Sequence, residues 1–323
     1  MYFPTADIET ALYFPPLVSF VVSFFTSMGG ISGAFLLLPF QVSILGYTAP
    51  SVSATNQLYN IVAIPSGVFR FIQEDRMLWP LSVVVIIGTL PGVLLGTIIR
   101  LQYLPNHSDF KVFAGLVLLY MGLRMVRECL RGPMQSTCPS RGTQSCGPQS
   151  TKEQSPKAQF FDAQRGGPNC PYAQGNAVTN VQWSMRRVTY CFRGQTFHFS
   201  SLSVFMLCLA VGLVGGVYGI GGGAIIAPFL VSVFGLPVYT VAGASLLGTF
   251  ATSIAGVLFY MALAPWYPHL SVSPDWLLGL LLGLGGMLGM YCGARCQRFV
   301  PARYIRFGLT CILLSTAFSY LFS

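Results

Sequence analysis

The sequence predicts an all-α, polytopic integral membrane protein: two inverted repeats, each of about five helical segments with glycine-broken helices. Three observations carry this. Hydrophobic residues make up 53% of the 323 residues and charged ones only 8%, about a third of the charged share of an ordinary soluble domain. Leu12 to Phe69, Met77 to Ile99, Phe199 to Trp266 and Phe307 to Ser323 contain no Asp, Glu, Lys or Arg, and stretches of that kind need lipid around them. Finally, a similar series of apolar segments stands on each side of a polar middle.

In the first half the segments are Leu12 to Met28, Gly33 to Leu45, Val52 to Phe71, Leu78 to Ile99 and Phe110 to Met125. In the second they are Ser200 to Tyr218, Gly223 to Phe234, Val241 to Leu263, Trp276 to Ala294 and Arg306 to Phe322. Gly223 to Phe234 reaches only about 18 Å at 1.5 Å per residue, against a hydrocarbon core of about 30 Å. Such short pieces beside glycine-rich breaks read as broken or re-entrant elements, tolerated where protein or a cavity surrounds them.

The halves are related in sequence. Sliding one over the other by 189 residues places Gly30, Gly33, Pro39, Gly46 and Gly67 on Gly219, Gly222, Pro228, Gly235 and Gly256 without a gap. Shared apolar composition alone does not align Gly with Gly and Pro with Pro. After a short change of offset, Gly88, Gly92 and Gly96 mirror Gly285, Gly289 and Gly293, a four-residue spacing that lets helices approach closely. The expected divisions are a first transmembrane repeat at 1–126, a flexible basic loop at 127–198 and a second repeat at 199–323. The loop is rich in Gly, Pro, Ser, Gln and Thr with few aliphatic residues in its first two thirds, a composition that buries no core.

Net charge is +9. In a soluble chain this would suggest nucleic acid, but here the basic residues flank apolar spans and act as topology determinants, so no nucleic-acid partner is expected. With five segments per half and the N-terminus outside, Arg70, Arg76, the ten basic residues from Arg124 to Arg193, and Arg295, Arg298, Arg303 and Arg306 lie on the cytoplasmic side. Only Arg100 and Lys111 lie outside. The expectation is a multi-pass protein of the cell (inner) membrane, with both termini outside and the central loop cytoplasmic. The N-terminus carries Asp7 and Glu9 and lacks a basic n-region, so the first segment reads as a retained span. Nine cysteines, an odd number without a tight framework, argue against structural disulfides.

The run from Gly212 to Tyr260 resembles the signature of the sulfite exporter TauE/SafE family: Gly219, Gly221, Gly222 and Gly223 at the break, then Pro228, Gly235, Ala242 and Ser245. The first half carries a degenerate copy, with Ser32 and Ala34 in place of two glycines. The resemblance covers both halves but not the central loop. It implies a membrane carrier that exports sulfite, thiosulfate, sulfoacetate or related organosulfonates.

The residues themselves give a matching site. Interrupted helices in inverted repeats expose helix N-termini, whose unpaired N–H groups and positive dipole end hold anions. Gly29, Gly30 and Gly33 in one half and Gly221, Gly222 and Gly223 in the other supply such ends, unless they serve only close packing. On the helix after each break, Asn56 and Asn60 correspond to Ser245 and Thr249, and residues four apart share a helix face. Uncharged donors suit an oxyanion that must also leave; interhelical hydrogen bonding is the plainer role for them. No carboxylate lies within a span, so proton relays and cationic substrates are not expected, and neither a metal nor a cofactor is. The alternative to transport is a membrane assembly or interaction protein whose central loop docks a soluble partner. An enzyme is not expected, since the spans hold no nucleophile with a base, ligand set or buried acid pair.

Overall fold

A computed structural model describes residues 1–29, 32–73, 77–130, 179–183, 187–192, 195–296 and 302–322. A short hairpin, β1 (Tyr2–Phe3) and β2 (Ile8–Glu9), precedes helices α1 (Phe14–Gly29), α2 (Ala34–Ser43), α3 (Ser51–Ala63), α4 (Pro65–Gln73), α5 (Trp79–Gln102) and α6 (His107–Leu130). An antiparallel sheet of β3 (Thr179–Trp183), β4 (Arg187–Phe192) and β5 (Gln195–Ser200) follows. The chain then forms α7 (Ser201–Tyr218), α8 (Gly222–Phe234), α9 (Val238–Leu263), α10 (Trp276–Cys296) and α11 (Ala302–Phe322). The protein is thus all-α in its membrane part and polytopic. Four of the described helices, in α5, α7, α9 and α10, are long and apolar enough to cross a bilayer.

α2, with 10 residues, and α8, with 13, span about 15 and 20 Å, well short of the bilayer core. The segment read as Val52 to Phe71 is two helices. Pro65 opens α4 and has no N–H to continue the ladder of α3, whereas α9 runs unbroken through Ile254, the corresponding position.

Glycine sets the helix spacing. A methyl at Gly92 would stand 2.8 Å from the Leu213 amide nitrogen, and one at Gly88 2.6 Å from Cys208 Cβ, so α5 lies backbone against backbone on α7. Gly285, Gly289 and Gly293 of α10 lie in the same way on Pro16, Phe20 and Phe24 of α1. The carbonyls that Gly88, Gly92 and Gly96 face belong to Phe205, Leu209 and Leu213, each 189 residues beyond its counterpart in α1. The first helix of each half therefore packs on the glycine-rich helix of the other, α7 on α5 and α1 on α10. In both pairs the helices run parallel. α3 and α9 run antiparallel: the Gln57 amide fills the Cβ position of Gly256, Asn60 meets Ser253, and in α4 Gly67 faces Leu246.

Two features depart from expectation. The interval 127–198 is not loop throughout, since α6 extends to Leu130 and β3, β4 and β5 occupy 179–200. Val188, Tyr190 and Phe192 of the sheet are buried, and the Tyr190 hydroxyl bonds Thr240 Oγ1 at the start of α9, 3.0 Å away. Residues 131–178, with Cys138, Cys146 and Cys170, lie outside the described part. Cys191 is disulfide-bonded, which corrects the reading that the cysteines make no structural bridge; counting and spacing alone do not exclude a single pair. Cys208, Cys292, Cys296 and Cys311 are free.

Candidate functional site

The second break is built by two glycines with positive φ. Gly219 (φ 81°, ψ 23°) ends α7, and its own N–H and that of Ile220 both reach the Gly215 carbonyl, at 2.9 and 3.1 Å. This left-handed cap needs a residue without Cβ. Gly221 (φ 76°, ψ 143°) then turns the chain into α8, which starts without a side-chain cap. The break leaves the carbonyls of Gly219 and Ile220 to be met from another helix.

α3 supplies the donors they need. Asn56 Nδ2 donates to Gly219 O at 3.2 Å and to Ala34 O at 3.1 Å; Asn60 Nδ2 donates to Ile220 O at 2.9 Å and to Ser253 Oγ at 3.3 Å. Ser32 Oγ donates to Asn60 Oδ1 at 3.4 Å. One face of α3 thus ties together the start of α2 and the end of α7. In the second half Ser245 Oγ donates to Gly223 O at 3.0 Å; this bond repeats the one from Asn56 to Ala34, 189 residues on. Thr249 Oγ1 turns back to the Ser245 carbonyl at 2.9 Å.

The glycines sit in close quarters. A Cβ on Gly222 would lie 2.7 Å from Thr89 Cβ, and one on Gly223 2.5 Å from the Thr249 amide nitrogen. Gly33 faces Ser23 Oγ and the Tyr59 hydroxyl, which bond each other at 2.8 Å. Gly221 faces Ser253 and Thr252. Gly29 is the last residue of α1, and Gly30 lies outside the described residues. The structure therefore gathers Gly33, Asn56, Asn60, Gly221, Gly222, Gly223, Ser245 and Thr249 in one buried layer between the breaks, with Asn56 and Asn60 fully buried.

In this closed arrangement both N–H bonds of each asparagine amide serve neighbouring groups of the chain. Ser253 and Thr89 were not chosen as site residues from sequence. Ser253 lies eight residues after Ser245, two turns along the same face of α9, and that spacing was a usable signal. Thr89 acts only through its contact with Gly222 across the fold, which spacing does not reveal. Asp275 was also passed over, because it stands one residue before α10. It is 4% exposed, its Oδ1 caps α10 by accepting from Leu278 N at 2.9 Å, and its own N–H reaches Thr55 Oγ1.

Chemically the layer holds neutral N–H and O–H groups, which here bond carbonyls and hydroxyls of the chain itself, and the start of α8, which has no side-chain cap. A family model for the sulfite exporter TauE/SafE matches residues 16–320. Searches of curated proteins and of solved structures gave no match.

Proposed function

We propose, since the chain belongs to the sulfite exporter TauE/SafE family, that it exports sulfite or a related small sulfur anion such as thiosulfate, sulfoacetate or another organosulfonate. Membership of the family makes it a membrane transporter of sulfite-type anions. Substrate, direction and the site are our reading, and the site is the layer between the two glycine breaks. The observation that carries it is the pinning of both breaks by one face of α3: Asn56 bonds Ala34 on one side and Gly219 on the other. A transporter of two interlocked repeats needs such a hinge at its centre, and the break that it holds presents the positive end of α8.

The inverted arrangement is likewise our reading. It is supported by the antiparallel course of α3 and α9 and by the matching bonds from Asn56 to Ala34 and from Ser245 to Gly223. The burial of Asn56, Asn60, Ser245 and Thr249 corresponds to a state closed on both sides. Release needs no coupling ion, because one negative charge leaving a cell gains about 2.3 kcal/mol per 100 mV of membrane potential. We also read the protein as one of the cell (inner) membrane with its termini outside, an orientation supported by the distribution of basic residues. The assembly-protein reading has no observation of its own.

Proteoliposomes test the proposal directly. Efflux of sulfite, thiosulfate, sulfate and sulfoacetate is compared with that from empty vesicles, and at least one sulfur anion must move faster than sulfate. Equal, background-level flux for all four would sink the transport reading.

A further inference from the structure

Arg100 was assigned to the outer end of its helix, where an arginine ordinarily extends its charge to the headgroups. It does not do so. Arg100 is completely buried. Its guanidinium carbon lies 3.8 Å from the centroid of the Phe110 ring, and Nη1 donates to the Leu104 carbonyl. Nε and Nη2 have no partner, and no carboxylate among the described residues pairs with the charge. A buried cation without a counter-ion is strongly unfavourable, so its retention calls for an anion.

The unpartnered atoms have a direction. Nε–H and Nη2–H form the side-on fork of the guanidinium, two parallel donors whose separation matches two oxygens of one oxyanion. The side chains beside it are unsatisfied too. The Tyr260 hydroxyl, Ser53 Oγ and both polar atoms of the Gln57 amide are buried without a hydrogen-bond partner. They are neighbours. Tyr260 feels the Arg100 charge and faces the Ser53 and Thr97 hydroxyls without reaching hydrogen-bond geometry to either. Gln57 stands one turn along α3 from Ser53 and fills the space over Gly256, one turn along α9 from Tyr260.

We propose that Arg100, Tyr260, Ser53 and Gln57 form a second oxyanion-binding station, distinct from the layer between the breaks and adjoining it. Ser53 joins the two: a Cβ on Gly219 would lie 2.5 Å from Ser53 Cα. Along one face of α3, Asn56 and Asn60 bond the carbonyls of the break, while Gln57 lies over Gly256 of α9 and Ser53 against Gly219. The ligand class is a tetrahedral or pyramidal sulfur oxyanion, which offers two oxygens to the arginine fork and a third to the hydroxyls and amide. The charge pattern fits this role. Arg100 and Lys111 are the two basic residues that the topology leaves outside, and both charges act on His107 at the start of α6. The station rests on the anion-transport reading and extends it from one site to two in series.

The test uses the full chain in nanodiscs, with thiosulfate and sulfite as probes. Equilibrium binding, ligand-free melting and proteoliposome efflux are measured for wild type, Arg100→Lys, Tyr260→Phe and Gln57→Leu. Lysine keeps the charge but lacks the fork, so Arg100→Lys is expected to weaken binding roughly tenfold to a hundredfold. Loss of one neutral donor in Tyr260→Phe should weaken it about threefold to tenfold. If Arg100→Lys does not fold, Tyr260→Phe and Gln57→Leu decide. Wild-type affinity in the folded variants, with efflux intact, overturns the station and leaves the transporter standing. A wild-type protein that neither binds nor moves any of the anions overturns both.

Discussion

The two bonds from Asn56 make a quantitative forecast. Asn56→Ala strips one donor from Ala34 O and one from Gly219 O, now 3.1 and 3.2 Å from Nδ2, and takes away the acceptor of Gln41 Nε2. Hydrogen bonds between membrane helices average about 0.6 kcal/mol each, which sets a floor near 1 kcal/mol. A buried acceptor left fully unsatisfied costs up to about 3 kcal/mol, so the ceiling is about 6. The absolute scale is wide, but the internal comparison is narrow. Ser245→Ala removes the single corresponding bond to Gly223 O, 3.0 Å long. Asn56→Ala should therefore lower unfolding free energy about twice as much as Ser245→Ala. Reversible unfolding in bicelles, titrated with a denaturing detergent, reads both values on one scale. A Ser245→Ala loss equal to or larger than that of Asn56→Ala would refute the reasoning that α3 pins both breaks.

Gly92→Ala would set its methyl 2.8 Å from the Leu213 amide nitrogen, so it should destabilise by more than about 2 kcal/mol, whereas Gly235→Ala meets nothing within 4 Å at φ 64° and should cost only about 1 to 2 kcal/mol of backbone strain; melting curves of the two compare them. Burial pushes the Tyr190 hydroxyl from its ordinary 10 up to about 12, so docking of the sheet on α9 is at full strength below pH 10 and weakens as pH rises through 12. Amide exchange at β4 across that range follows it, and Tyr190→Phe should flatten the profile. Single-cysteine labelling in 131–178 and in 297–301 should place both segments in the cytoplasm, as the positive-inside bias of their basic residues predicts. The Cys191 disulfide favours an oxidising side instead, and labelling of both segments from outside would give that signal precedence over charge.

The glycine breaks and the 189-residue correspondence were legible because each is a local pattern that lipid or backbone geometry enforces. The polar face of Asn56 and Asn60 was legible as well. Their partners were not, since Gly219 and Ile220 lie 163 and 160 residues away and no spacing rule connects them. The burial of Arg100 was not legible, because an arginine closing an apolar span reads as an interfacial anchor, and only packing shows Phe110 and Leu104 enclosing it. The sheet escaped notice for another reason. Averaging over the whole polar middle hid the alternation of Val188, Tyr190 and Phe192, although the three residues face inward together.

The exchange of helices between halves has a consequence for synthesis. The glycine face of α5 finds its companion only in α7, and the 98 residues between Gln102 and Ser201 must be translated first. At about 5 to 20 residues per second, that face waits roughly 5 to 20 s in the bilayer with nothing but lipid against its bare backbone. α1 waits longer still, until α10 emerges. The first half cannot mature on its own, and a ribosome that stops in the central loop leaves two unmated helices for quality control to find.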